Sequence, residues 1–164
     1  MRILKLGLIS FVGISLVILV LSLLIPAETR VSRAITIAAP ADSVQAQTSD
    51  IRNMVNWNRL LQDSGLTGIQ TSKAVFSSDQ MQVNLNQKDS VWVMVWKRKG
   101  QEPVSGAIVV TPSGADTSIV QWYFDFKVSW YPWEKFGSII FDKQLGPPME
   151  ASLDRLRKTC EQTQ

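Results

Sequence analysis

Three patterns of apolar and polar positions follow one another along the chain. The first is an unbroken apolar run, Leu6 to Ile25, of 20 uncharged residues that are mostly Leu, Ile, Val and Phe. As a helix it would reach about 30 Å, the thickness of a bilayer's hydrocarbon core. The second pattern is alternation. Val31–Ala39 alternates, is rich in β-branched residues and stops at Pro40, which predicts a strand. Pro40-Ala41-Asp42 suits a helix start, so two short helices are expected at Ala41–Thr48 and Asp50–Gln62. From about Ser72 the chain reads as strands and turns: Ala74–Ser77, Met81–Asn86, Asp89–Lys97, Val104–Thr111 and Thr117–Trp130. The third pattern is a helical stripe after Pro132, in which Leu145, Met149, Leu153, Leu156 and Cys160 recur at spacings of three or four. Trp133, Phe136, Ile140 and Phe141 extend it upstream. Gly146-Pro147-Pro148 should interrupt it, because each proline lacks a backbone donor and clashes with the preceding turn. A kinked or two-part C-terminal helix is expected. Consecutive strands followed by a helix predict an α+β architecture.

Two strands show what faces the interior. In the last, Val120, Trp122, Phe124, Phe126 and Val128 share one face, while Gln121, Tyr123, Asp125 and Lys127 share the other. This is the pattern of an antiparallel sheet covered on a single side. In Asp89–Lys97 both faces are apolar: Val91, Val93 and Val95 on one, Trp92, Met94 and Trp96 on the other. The Trp/Met face is expected to point inward.

Composition then excludes a good deal of chemistry. The chain of 164 residues has no histidine, so Ser-His-Asp catalysis, Cys-His catalysis and HExxH zinc sites are absent. Its one cysteine, Cys160, makes neither an intrachain disulfide nor a thiolate cluster and is expected to be a small core residue. No metal site and no cofactor is expected. The net charge of +3 also changes meaning when the chain is divided. With Arg2 and Lys5 set aside, 15 basic residues face 14 acidic ones, so the basic pI is no argument for nucleic acid.

The apolar run has two readings, a cleaved signal peptide or an uncleaved anchor. Signal peptides have apolar regions of about 7–15 residues before a small-residue cleavage site. Here the run is longer, and it leaves through Leu24-Ile25-Pro26-Ala27-Glu28, with bulky Ile25 where a small residue would stand. Residues 1–27 are therefore expected to form a transmembrane anchor spanning the membrane through residues 6–25, and residues 28–164 the globular domain. Arg2 and Lys5 favour a cytoplasmic N-terminus and an extracytoplasmic domain, periplasmic in a bacterium.

A strand, two short helices, a run of antiparallel strands and a long C-terminal helix is the helix-grip order. Two stretches resemble the SRPBCC (START-like) superfamily, in particular its membrane-anchored polyketide cyclase/dehydrase-type members. The first is Arg33-Ala34-Ile35-Thr36-Ile37-Ala38-Ala39-Pro40-Ala41-Asp42-Ser43-Val44, followed by Asp50-Ile51-Arg52-Asn53 and Trp57. The second is Thr117–Trp122 with Phe136, Asp142-Lys143-Gln144-Leu145-Gly146-Pro147 and Leu153-Asp154-Arg155-Leu156. The resemblance covers nearly all of residues 28–164, and its motifs are structural. It departs from the pattern at Met54 and Leu60, where tryptophans are usual, and in the short stretch from Gln62 to Thr71.

The resemblance implies an antiparallel sheet wrapped around a long C-terminal helix, enclosing a cavity for a small hydrophobic or lipid-like ligand. The inward residues Trp57, Trp92, Met94, Trp96, Trp122, Phe124, Phe126 and Phe141 are the candidate ligand contacts, with Phe136 beside them. The same aromatics could instead fill the interior and leave no cavity, since aromatic stripes also build cores. No catalytic residue is assigned. Arg33 shares the parity of Ile35 and Ile37, and so either meets an anionic ligand group or lies at the strand's start near the membrane. Asp142, Lys143 and Glu134 read as charges on an exposed helix face, and Lys97-Arg98-Lys99-Gly100 as a solvated hairpin tip. Tyr131 and Trp133 are expected to pack at the junction of sheet and helix. The function expected is non-enzymatic ligand binding at a membrane. A cyclase/dehydratase-like enzyme and a ligandless interaction module remain open, and no protein partner is indicated.

Overall fold

The structure, a computed structural model, describes residues 2–24, 26–88, 91–128, 131–138 and 140–162, with the backbone alone for residues 2–4 and 136–138. Helix α1 is Arg2–Leu23. Strand β1 (Glu28–Ile37) then leads into helices α2 (Ala41–Thr48) and α3 (Ile51–Trp57) and a 3-10 turn, Arg59–Leu61. Strands β2 (Gln70–Thr71), β3 (Val75–Ser77), β4 (Met81–Lys88), β5 (Val91–Arg98), β6 (Val104–Pro112) and β7 (Ser118–Lys127) follow. Helices α4 (Pro132–Ser138) and α5 (Phe141–Gln162) close the chain.

The seven strands form one antiparallel sheet in the order β1-β7-β6-β5-β4-β3-β2. Consecutive strands are hairpins, except that the first joins the last. β1 begins three residues before the expected start, because Glu28 pairs with Lys127 and the ladder runs on to Ile37 opposite Ser118. Helix α5 lies along β1 and packs also on α2, α3 and the 3-10 turn. This is the helix-grip arrangement.

The alternation is realised in the burial. Val120, Trp122 and Phe124 are buried on β7, as are Met94 and Trp96 on β5. The stripe of α5 is buried from Met149 through Leu153 and Leu156 to Cys160. Burial in apolar surroundings pushes the Cys160 thiol up to about 11, so it stays a neutral core group.

Two expectations about helices are corrected. The segment Asp50–Gln62 is not one helix. Asp50 caps α3 by accepting from the backbone N–H of Arg52 at 2.9 Å, but Asn58 is extended and accepts from Leu60 N at 3.0 Å. That side-chain acceptor competes with the helical ladder and turns the chain. The prolines, in turn, do not end the last helix: Pro147 and Pro148 lie inside α5. The break falls between α4 and α5 instead. The lost backbone bonds are tolerated because the following turns are anchored by buried Met149, Leu153 and Leu156, and because Ser152 links α5 to the 3-10 turn. Its hydroxyl donates to Pro148 O and accepts from Arg59 N at 2.9 Å.

Candidate functional site

The inward face of β7 carries an aromatic ladder, because residues two apart on a strand point the same way. Trp122 and Phe124 have ring centroids 5.4 Å apart, and Phe124 and Phe126 are 6.3 Å apart. The ladder is extended at both ends by other elements. Trp57 of α3 meets Trp122 edge-on at 6.2 Å, and Phe141 of α5 meets Phe126 at 4.6 Å. Trp96 of β5 joins edge-on to Phe124 at 5.5 Å. Gly106 sits opposite Phe124 on β6, and a Cβ there would overlap the Phe124 ring and Tyr123 O. The absence of a side chain lets that ring lie close over the sheet.

At one end the ladder opens into a cleft of about 410 Å³ between the sheet and the first turns of α5. Its floor is Trp96, Phe124, Phe126 and Phe141, with Leu60, Val104 and Leu145 beside them. These side chains are buried or half-buried. Its polar lining, Arg98, Gln101, Glu102, Lys127 and Gln144, is exposed and forms the rim. A concave apolar floor with a polar rim suits an apolar ligand with a polar end.

Four of the eight sequence candidates, Trp96, Phe124, Phe126 and Phe141, line this cleft. Trp57, Met94 and Trp122 are not among its walls and are fully buried in the packed core. Trp92 is half-buried at the opposite end of β5, beside Gln45, Ser49 and Gln87. The Phe136 side chain lies outside the described residues. Sequence reasoning missed Leu60, Val104 and Leu145 as cleft walls. Leu145 stood on the helical stripe, and Val104 shares an inward register with Trp96, so a signal existed for both.

Arg33 stands in the middle of β1 and reaches toward α5. Its guanidinium forms paired hydrogen bonds to Asp142 at 2.8 and 3.1 Å and donates to Glu150 at 2.6 Å, so it fastens α5 to β1. It lies over Gly146, where a Cβ would overlap the guanidinium. The hydrogen bonds from Arg33 hold the Asp142 carboxyl below its ordinary value of 3.8. An acid in an apolar pocket would be shifted the other way. Among the described residues no group of three His, Cys, Asp or Glu side chains could hold a metal ion.

The indole nitrogens of Trp96 and Trp122 are buried and have no hydrogen-bond partner among the described residues, as is the amide nitrogen of Asn58. Tyr131 and Trp133 stand at the start of α4. They stack on each other with centroids 4.9 Å apart, and Trp133 is 69% exposed.

Comparison with known proteins agrees with this geometry. The family model described as polyketide cyclase / dehydrase and lipid transport matches residues 28–161. The chain belongs to this family. Among solved structures, a START superfamily protein from Mycobacterium smegmatis is similar at 15% identity and a TM-score of 0.59, covering 82% of this chain and 99% of that one. Norcoclaurine synthase from Thalictrum flavum, in complex with dopamine and hydroxybenzaldehyde, is similar at 14% identity and a TM-score of 0.59, covering 84% and 88%. The Zhui aromatase/cyclase from Streptomyces sp. R1128 is similar at 13% identity and a TM-score of 0.58, covering 82% and 94%. At these identities the likeness establishes the START-like fold and no more. No curated protein matches the sequence. Within this family's fold, the cleft occupies the space between sheet and C-terminal helix.

Proposed function

We propose that this protein is a membrane-anchored binding domain that takes a small hydrophobic or lipid-like ligand in the cleft between the sheet and α5. The observation that carries the reading is the division of the cleft into an aromatic floor and an exposed polar rim. Such a floor offers dispersion and apolar burial, while the rim leaves a ligand's polar end in water. Binding is favoured over catalysis because the carboxylate that lines the cleft among the described residues, Glu102, is solvent-exposed. The anchor reading rests on α1, whose residues 5–23 are strongly apolar and almost wholly exposed. A single span with the domain outside the cytoplasm fits Arg2 and Lys5 at its N-terminal end.

Titration of the purified chain with a fluorescent fatty acid tests the cleft. The native chain should bind it, and Leu145→Trp, which adds bulk at a half-buried wall position, should abolish binding while the fold is kept. Equal binding by that variant, or none by the native chain, would overturn the reading. Alkaline extraction of membranes followed by N-terminal sequencing tests the anchor. A mature start near Glu28 would show that residues 1–27 are removed.

A further inference from the structure

The sheet edge at which the cleft opens is also the edge at which α1 joins the domain. Val128 N donates to Ala27 O at 2.8 Å, and Glu28 pairs with Lys127, so β1 begins where β7 ends. Phe126 and Lys127, the last two residues of β7, are cleft walls. Helix α4 follows shortly after β7 and packs against α1. Of residues 5–24, Ser22 alone is buried, one turn before the chain leaves the apolar run. The end of α1, helix α4 and the cleft mouth are thus neighbours.

The surface beside them is apolar and aromatic. Tyr131 and Trp133 are stacked with an interplanar angle of 15°, and both are exposed, as is Ile140 at 50%. A stacked Tyr–Trp pair has a wide apolar face and two polar tips, the combination that is stable at the level of lipid headgroups. Its continuity with α1, whose exposed apolar residues suit a lipid environment, names the occupant.

We propose that the Tyr131–Trp133 pair, with Ile140, is a membrane-interface wedge that seats the cleft mouth on the bilayer holding α1, so that ligand passes directly between bilayer and cleft. The proposal rests on the reading of α1 as an anchor, and its second half on the reading of the cleft as a ligand site. It assigns α4 a task separate from both: the anchor sets the distance to the membrane, and the wedge sets the orientation.

The test uses the full chain in vesicles of phosphatidylcholine with a minority of phosphatidylglycerol, some lipids being brominated near the headgroup end of their acyl chains. Native protein should be quenched more strongly than Trp133→Phe, the difference being the contribution of Trp133. Equal quenching of the two would overturn the wedge, and equal quenching with concentration-dependent self-association would assign the pair to a second copy of the chain. If the native chain fails to float with the vesicles, the anchor reading falls and the wedge with it. Loading with a dansyl-labelled fatty acid tests the second half. The double variant Tyr131→Ala/Trp133→Ala should load about tenfold more slowly from vesicles and reach the same final occupancy. Equal loading rates would overturn direct exchange. A native chain that takes up no probe from vesicles or from solution would refute the cleft reading instead, and the quenching result would still decide the wedge.

Discussion

The two ends of the aromatic ladder on β7 are alike in sequence and opposite in environment. Trp122 and Phe126 share one strand and one face, four residues apart. Trp122 is completely buried in the packed core, where Trp57 meets it edge-on. Phe126 is half-buried and forms a wall of an open cleft, beside Phe141 and Leu145, themselves half-buried in the first turns of α5. The difference lies in what stands opposite, since both are inward aromatics on a pleated surface. One strand therefore builds core with one half and a binding surface with the other.

The largest expected effect comes from the closed end. Trp122→Ala should cost about 3–5 kcal/mol, as truncation of a fully buried tryptophan leaves a void that its neighbours fill only in part. Phe126→Ala should cost only about 1–2 kcal/mol, since it already borders open space, and should alter fatty-acid binding more than stability. Chemical denaturation of the two variants measures the contrast. Equal losses would show that the two ends are one continuous core.

A smaller effect concerns the hold on α5 above the cleft. Because Arg33 lowers the Asp142 carboxyl, the unfolded chain binds that proton more readily than the folded one. The stabilisation is fully present above the ordinary value of 3.8 and is lost as pH falls through the folded value beneath it. Asp142→Asn should therefore flatten the fall in melting temperature between about pH 5 and pH 3. An unchanged profile would assign the clamp to Glu150 alone.

The smallest effect expected is that of Trp96→Phe. It removes a buried indole N–H that has no acceptor among the described residues, so stability should be unchanged or higher by up to about 1 kcal/mol. A loss above about 2 kcal/mol would mean that the indole's shape or an unseen acceptor matters more than its orphaned donor.

Much of this molecule was legible in its sequence. Alternation in Thr117–Trp130 predicted the face of β7 that is buried, and the helical stripe predicted the side of α5 that meets the sheet, because apolar burial imposes a period of two on a strand and 3.6 on a helix. The resemblance around Arg33–Val44 and Phe136–Leu156 led to the family, which the match over residues 28–161 establishes. Less legible were points at which something other than apolar periodicity decides the backbone. Asn58 divides a predicted helix through its own side chain, a local contest that periodicity does not register. Prolines 147 and 148 sit within α5 because tertiary packing outweighs two missing backbone bonds.

The sequence by itself determined which side chains face inward, where apolar length suffices to cross a bilayer, and which catalytic chemistries are impossible in a chain without histidine. Only the tertiary structure decided which inward aromatics are core and which are cleft. It alone showed that Arg33 reaches across to Asp142 and Glu150, and that Tyr131 and Trp133 stack on each other with Trp133 largely exposed. The physical reason is common to all three. The direction of a side chain follows from local backbone geometry, whereas its burial depends on the element that folds back against it.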